Sequence, residues 1–160
     1  MTGGTGALAE NIAITQRTAA DPAASVWVAA NAGSGKTTVL VERVVRLMLE
    51  GSPLSRILCL TFTKAAAAEM ENRLFAKLAK WTTLPDDELE TEIRGGTGKP
   101  VSPNQLIEAR RLFARALDTP GGLKIATIHA FCESLISRFP RSVRHSPSPS
   151  VEAHSLTRAR

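Results

Sequence analysis

Gly33, Gly35, Lys36 and Thr37 lie in the run AANAGSGKTT (residues 29–38), at the spacing of a loop that holds phosphate. Glycine at 33 and 35 permits backbone angles and close approach that a side chain would block. The N–H groups of residues 33 to 37 can then converge on a phosphate at a helix N-terminus, where the helix dipole favours an anion. Lys36 is a point charge on a stem long enough to reach β- and γ-phosphates, and Thr37 offers a hard hydroxyl oxygen to Mg²⁺. Ala32, Ser34 and Thr38 complete the nucleotide-binding loop. Ala30 stands where the pattern G-x-x-x-x-G-K-[ST] begins with Gly.

Such a loop needs a strand before it and a helix after it. SVWVAA (25–30) is a short apolar, β-branched run suited to a buried strand. KTTVLVERVVRLMLEG has Val41, Val44, Val45 and Met48 at helical spacing and stops at Gly51. RILCLTFT (56–63) is a second strand, and KAAAAEMENRLFAKLAKW (64–81) a helix with Leu74, Leu78 and Trp81 on one stripe. Before the loop, LAENIAITQRTAA (8–20) predicts a helix ending ahead of Asp21-Pro22. Residues 82–123 break the rhythm with an acidic stretch, PDDELETEIR, then GGTGKP and a helix over 104–118. KIATI (124–128) is a third strand and HAFCESLISRF (129–139) a further helix. Strand alternating with helix predicts an α/β fold around a parallel sheet.

Composition narrows the class. The 160 residues suit one domain, and 43% hydrophobic content is that of a globular chain. The most apolar stretch, VLVERVVRLML, carries Glu42, Arg43 and Arg46, so no membrane span is expected. Cys59 and Cys132, each in an apolar run, read as buried reduced thiols of a cytoplasmic protein. The net charge of +5 owes much to Arg141, Arg144, Arg158 and Arg160 in a Ser/Pro-rich tail expected to be disordered. Bulk charge is therefore weak support for nucleic-acid binding.

TFTKAAAAEMENRL (61–74) and TIHAFCESLISRFP (127–140) resemble the DNA-contacting segments Ia and Ib of UvrD/Rep-type superfamily 1 helicases. The loop form that starts with Ala30 is also usual there. Gln16 resembles the family's Q motif, whose glutamine recognises adenine. Within the family, the runs containing these segments are similar to the N-terminal parts of AddA-type helicase/nuclease subunits, over about residues 10–140. The resemblance implies a P-loop NTPase (RecA-like) parallel sheet with flanking helices, here a partial domain. It also implies ATP and Mg²⁺ as cofactors, single-stranded DNA as partner, a second protein, AddB, for the full-length relative, and work in double-strand break repair and recombination. The expected organisation is a helix with the Q motif (1–20), a core (21–81), a helical insert (82–123), a strand and helix (124–140) and the tail (141–160).

Residue roles follow from the resemblance. Thr61, Phe62, Thr63 and Lys64, with Thr127 and His129, form the DNA track, and Phe131 packs beneath the last two. The plainer readings are a helix cap for Thr63 and a packed or capping His129. Glu42 and Arg43 read as a solvated or ion-paired face, and Arg110, Arg111 and Arg115 as an exposed basic stripe.

Hydrolysis in this family also uses an Asp-Glu pair at a strand end and arginines from a second motor domain. Asp86-Asp87-Glu88 is the one dense acidic run, and it reads better as the start of a helix. The expectation is thus an N-terminal piece of a longer motor, inactive alone, whose tail reflects either a frameshift near residue 140 or a shortened protein. The alternatives are a small P-loop nucleotide kinase or switch NTPase, and a non-catalytic truncation product that only binds nucleotide or DNA.

Overall fold

In the computed structural model, residues 4–29, 33 and 35–139 are described, with side chains from residue 10 onward. Helix α1 (Gly4–Ala19) precedes α2 (Lys36–Leu49). A 3-10 turn (Leu54–Arg56) leads to strand β1 (Leu58–Thr61) and helix α3 (Lys64–Thr83). Helices α4 (Asp86–Thr97) and α5 (Pro103–Leu117) fill the expected insert, and β2 (Lys124–Thr127) runs into α6 (Ile128–Ile136). The two strands pair in parallel, Leu58 opposite Lys124 and Thr61 opposite Thr127.

Local chemistry sets the helix ends. Gly51, with φ of 85°, closes α2: its N–H bonds Met48 O, and the Ser52 N–H bonds Leu47 O. This is a Schellman ending, and the left-handed φ explains the glycine. A capping box formed by Ser102 and Gln105 opens α5. Asp86, Asp87 and Glu88 occupy the first turn of α4, where the helix dipole favours acids.

The core lies between helices. Val41, Val44, Val45 and Met48 of α2 meet Met70, Leu74, Leu78 and Trp81 of α3, and Ala109, Leu112 and Ala116 of α5 close the cluster. Cys59 and Ile125 press on it from one face of the sheet, while Leu58 and Leu60 on the other face are exposed. The helices therefore cover a single face of the described sheet.

Charged side chains tie the helices where apolar ones do not. Lys77 of α3 pairs with Glu42 of α2 and stands 3.6 Å from Glu92 of α4. Glu92 also accepts from Lys80 at 2.6 Å and from the Trp81 indole at 2.9 Å, and the Lys77 ammonium sits 5.4 Å from the Trp81 ring centre. Arg46, 7% exposed, donates to Arg17 O at 2.9 Å and to Gly96 O, joining α1, α2 and α4. Burial holds its pKa below the usual arginine value, and its Nε has no partner.

Several sequence expectations need correction. Residues 25–29 form no strand, and Trp27 is 92% exposed. The β1–β2 ladder does not include this run, so it has no partner backbone to complete a strand; Arg43 instead holds the preceding turn through Asp21 O and Ala24 O. The second strand is four residues long rather than eight, because Thr63 already serves as the α3 cap. Only Cys59 of the two thiols is partly covered, with its pKa raised by burial. Cys132 is exposed because α6 buries no residue. Arg110 is not simply exposed: it donates to Trp81 O, Thr82 O and Leu84 O and pairs with Asp86, satisfying carbonyls at the α3 end. Arg111 and Arg115 do lie at the surface, both against Glu108. The tail, 141–160, lies outside the described residues.

The Glu92 carboxyl gives a pH prediction. Burial by itself raises its pKa, but hydrogen bonds from Lys80 and Trp81, with the Lys77 and Lys80 charges, outweigh it and hold the pKa below 4.5. A carboxylate depressed in the folded state contributes stability above its unfolded value, and that contribution is lost as pH falls through the folded value. Urea midpoints measured from pH 7 down to pH 3 should therefore fall below about pH 4.5, and Glu92→Gln should flatten that part of the fall. Identical pH dependence in the two proteins would refute the assignment.

Candidate nucleotide and DNA site

Gly33 and Gly35 have φ of 80° and 84°, in the left-handed region that L side chains rarely adopt. Gly35 is the N-cap of α2 and offers no side-chain cap, so the first amides of the helix face outward without an intrahelical acceptor. A cavity of about 360 Å³ opens there, lined by Gly33, Gly35, Lys36, Thr37, Thr38, Glu69 and Arg73. A Cβ built on Gly35 would stand 3.0 Å from Gln16 Nε2, so α1 brings the expected adenine reader directly to the loop. Ala30, Ala32 and Ser34 lie outside the described residues.

The donors fit a nucleotide. Helix amides, a lysine and an open cradle at Gly33, where an added Cβ would meet nothing within 4 Å, suit a phosphate chain. Thr37 supplies a hard oxygen of the kind Mg²⁺ takes. Among the described residues no group of three or more His, Cys, Asp or Glu could hold a metal alone, so phosphate and water oxygens would complete such a shell.

A second site forms at the carboxyl ends of the strands. Thr61 and Thr127 are register partners, so both expected DNA segments emerge side by side. Thr63 Oγ1 accepts from the Ala66 N–H at 3.1 Å, and Thr127 Oγ1 from the Ala130 N–H at 3.2 Å. The Thr61 hydroxyl donates to Thr63 O at 3.0 Å. The capping reading is thus correct for both helix starts, yet a hydroxyl that accepts from an amide keeps its proton to donate. Phe62 is 87% exposed, Lys64 and His129 are exposed, and Phe131 is half-buried.

Helix α3 belongs to both sites. Thr63 and Lys64 open it at the strand edge, and Arg73 reaches the loop cavity about 13 Å along the axis. Glu69, Arg73 and Lys77 recur every fourth residue, which puts them on one stripe. Sequence reasoning assigned none of the three a site role, although their spacing was visible. Arg46 was also missed, because a lone arginine on an amphipathic helix ordinarily lies at the surface.

A glycine-loop helix behind a Gln16 contact, with two parallel strands ending on paired threonines, defines the start of a helicase-type motor domain. The UvrD/REP helicase N-terminal domain family matches residues 12–157, and the chain belongs to that family. It is 40% identical over 131 residues to AddA, the larger-numbered match being the ATP-dependent helicase/nuclease protein of Lactobacillus gasseri, covering 82% of this chain and 9% of that protein. The AddA proteins of Pediococcus pentosaceus (36% over 115 residues, 72% and 8%) and Desulforudis audaxviator (40% over 118 residues, 72% and 8%) are similar. The chain thus spans less than a tenth of these relatives. No solved structure matches. Among the described residues, no helix is long and apolar enough to cross a membrane.

Gly35→Ala tests the loop. A methyl at a φ of 84° and 3.0 Å from Gln16 Nε2 forces either the backbone or Gln16 to shift. Isothermal titration with Mg-ATPγS should show at least about tenfold weaker binding, from strain of roughly 1–2 kcal/mol plus lost cradle geometry. Unchanged affinity would show that the loop conformation is not used.

Proposed function

We propose that the chain is the ATP–Mg²⁺-binding, single-stranded-DNA-binding start of an ATP-dependent DNA helicase motor of the RecA-like P-loop type. The observation that carries the reading is the cavity in which Gly33, Gly35, Lys36 and Thr37 meet α3, the helix that also starts the DNA track. In this reading residues 1–20 bring Gln16 to the adenine, 21–81 form the core, 82–123 are a helical insert and 124–140 complete the DNA edge.

Each residue has a physical task. The α2 amides and Lys36 hold the phosphates, Thr37 holds the metal, and Gln16 beside Gly35 selects the base edge. The bound metal would neutralise charge on the phosphates. Thr61, Thr63, Lys64, Thr127 and His129 offer donors to the DNA backbone, and Phe62 offers a stacking face. Asp86–Glu88 begin a helix instead of ending a strand, so the carboxylate that would orient an attacking water lies elsewhere. The chain alone therefore binds nucleotide with negligible turnover. In the longer protein the same segment serves a helicase/nuclease that works with a second protein, AddB, on DNA ends in double-strand break repair.

Binding of Mg-ATP by calorimetry, with turnover assayed with and without oligothymidine, tests this. Lys36→Ala should weaken nucleotide binding by about tenfold or more, since it removes a charge-assisted contact. Phe62→Ala should weaken oligothymidine binding by about 1–3 kcal/mol while leaving nucleotide affinity unchanged. Equal nucleotide binding by the wild type and Lys36→Ala would overturn the reading, and DNA-independent turnover lost in that variant would indicate a small NTPase instead.

A further inference from the structure

The loop cavity holds a cation that the glycine motif does not account for. Arg73 lines it together with Lys36 and Thr37, and it comes from α3 rather than from the loop or its helix. Its Nη2 pairs with Glu69 Oε1 at 2.6 Å, with the two side chains 52% and 54% exposed. An ion pair this open costs little to rearrange. Glu69 lines the same cavity, so an anion sits where a phosphate chain would enter, and Arg73 is the group that neutralises it. Guanidinium presents a planar fork that matches phosphate oxygens two at a time, which a lysine does not.

We infer that Arg73 is a second phosphate-binding cation of the nucleotide site, with Glu69 as the positioning residue that holds its guanidinium at the cavity mouth. The inference rests on the nucleotide-binding reading above and assigns that site a residue outside the loop. One consequence is mechanical. The helix that starts with Thr63 and Lys64 then touches the nucleotide directly, so the phosphate contact and the DNA track move as parts of one rigid element.

The test is calorimetric binding of Mg-ATPγS to the 160-residue chain and to Lys36→Ala, Arg73→Ala, Arg73→Lys and Glu69→Gln variants, each checked for an unchanged circular-dichroism melt. Arg73→Ala should bind about tenfold or more weakly, and Arg73→Lys should recover only part of the loss because the fork is gone. Glu69→Gln removes an anion from the cavity and should bind as tightly as the wild type or more tightly. It decides the matter if Arg73→Ala melts early, and weaker binding by Glu69→Gln would then count against the inference. Wild-type affinity in Arg73→Ala alongside loss in Lys36→Ala would overturn the Arg73 role and leave the nucleotide site standing. No binding by the wild-type chain would overturn both.

Discussion

The two sites depend on how α3 is held against α2. Leu74 and Leu78 are wholly buried in the shared apolar cluster, and that burial is the principal stabilising term. The cluster alone would not fix the rotation of α3 about its axis. The Lys77–Glu42 pair does so, since its charges are 17% and 25% exposed and each is the other's partner. Removing one member would leave an uncompensated, partly buried charge. With α3 fixed in rotation, Glu69 and Arg73 must line the loop cavity, because they stand on the stripe that carries Lys77.

The strand edge is fixed by a separate constraint. Parallel pairing in one register puts Thr61 beside Thr127, and each strand is followed at once by a helix whose first turn is capped by a threonine. Helix starts therefore crowd one edge of the sheet, as they do in α/β proteins that bind anionic ligands at strand ends. The threonines serve the fold and the site together: the lone pairs cap amides, and the hydroxyl protons stay available to a phosphate backbone. Arg46 does comparable structural work at the far end of α2, where its guanidinium joins three helices through two backbone carbonyls.

Amphipathic spacing made the long helices legible. Val41, Val44, Val45 and Met48, and again Leu74, Leu78 and Trp81, are buried as their periodicity requires, and Gly51 ends α2 through its left-handed φ. The glycine loop was readable because its residue types are set by phosphate chemistry, and Gln16 does lie against it. What failed was whatever needs knowledge of a partner surface. Val26, Trp27 and Val28 have strand composition, but an apolar run becomes a strand only when another backbone pairs with it. Cys132 looked buried for a similar reason, since its apolar neighbours on α6 have no covering layer here. Arg110 and Arg46 escaped notice because a carbonyl at a helix end has no signature in the sequence of the arginine that satisfies it.

The central claim is that one small α/β unit carries a nucleotide cradle and a DNA edge joined by α3. Hydrogen–deuterium exchange of the chain, alone, with saturating Mg-ATPγS and with oligothymidine, tests it most directly. The expected result is slowed exchange of amides 35–39 with the nucleotide, and of amides 62–66 and 128–131 with the oligonucleotide. Exchange unchanged at both sets of amides, with each ligand in excess, would contradict it.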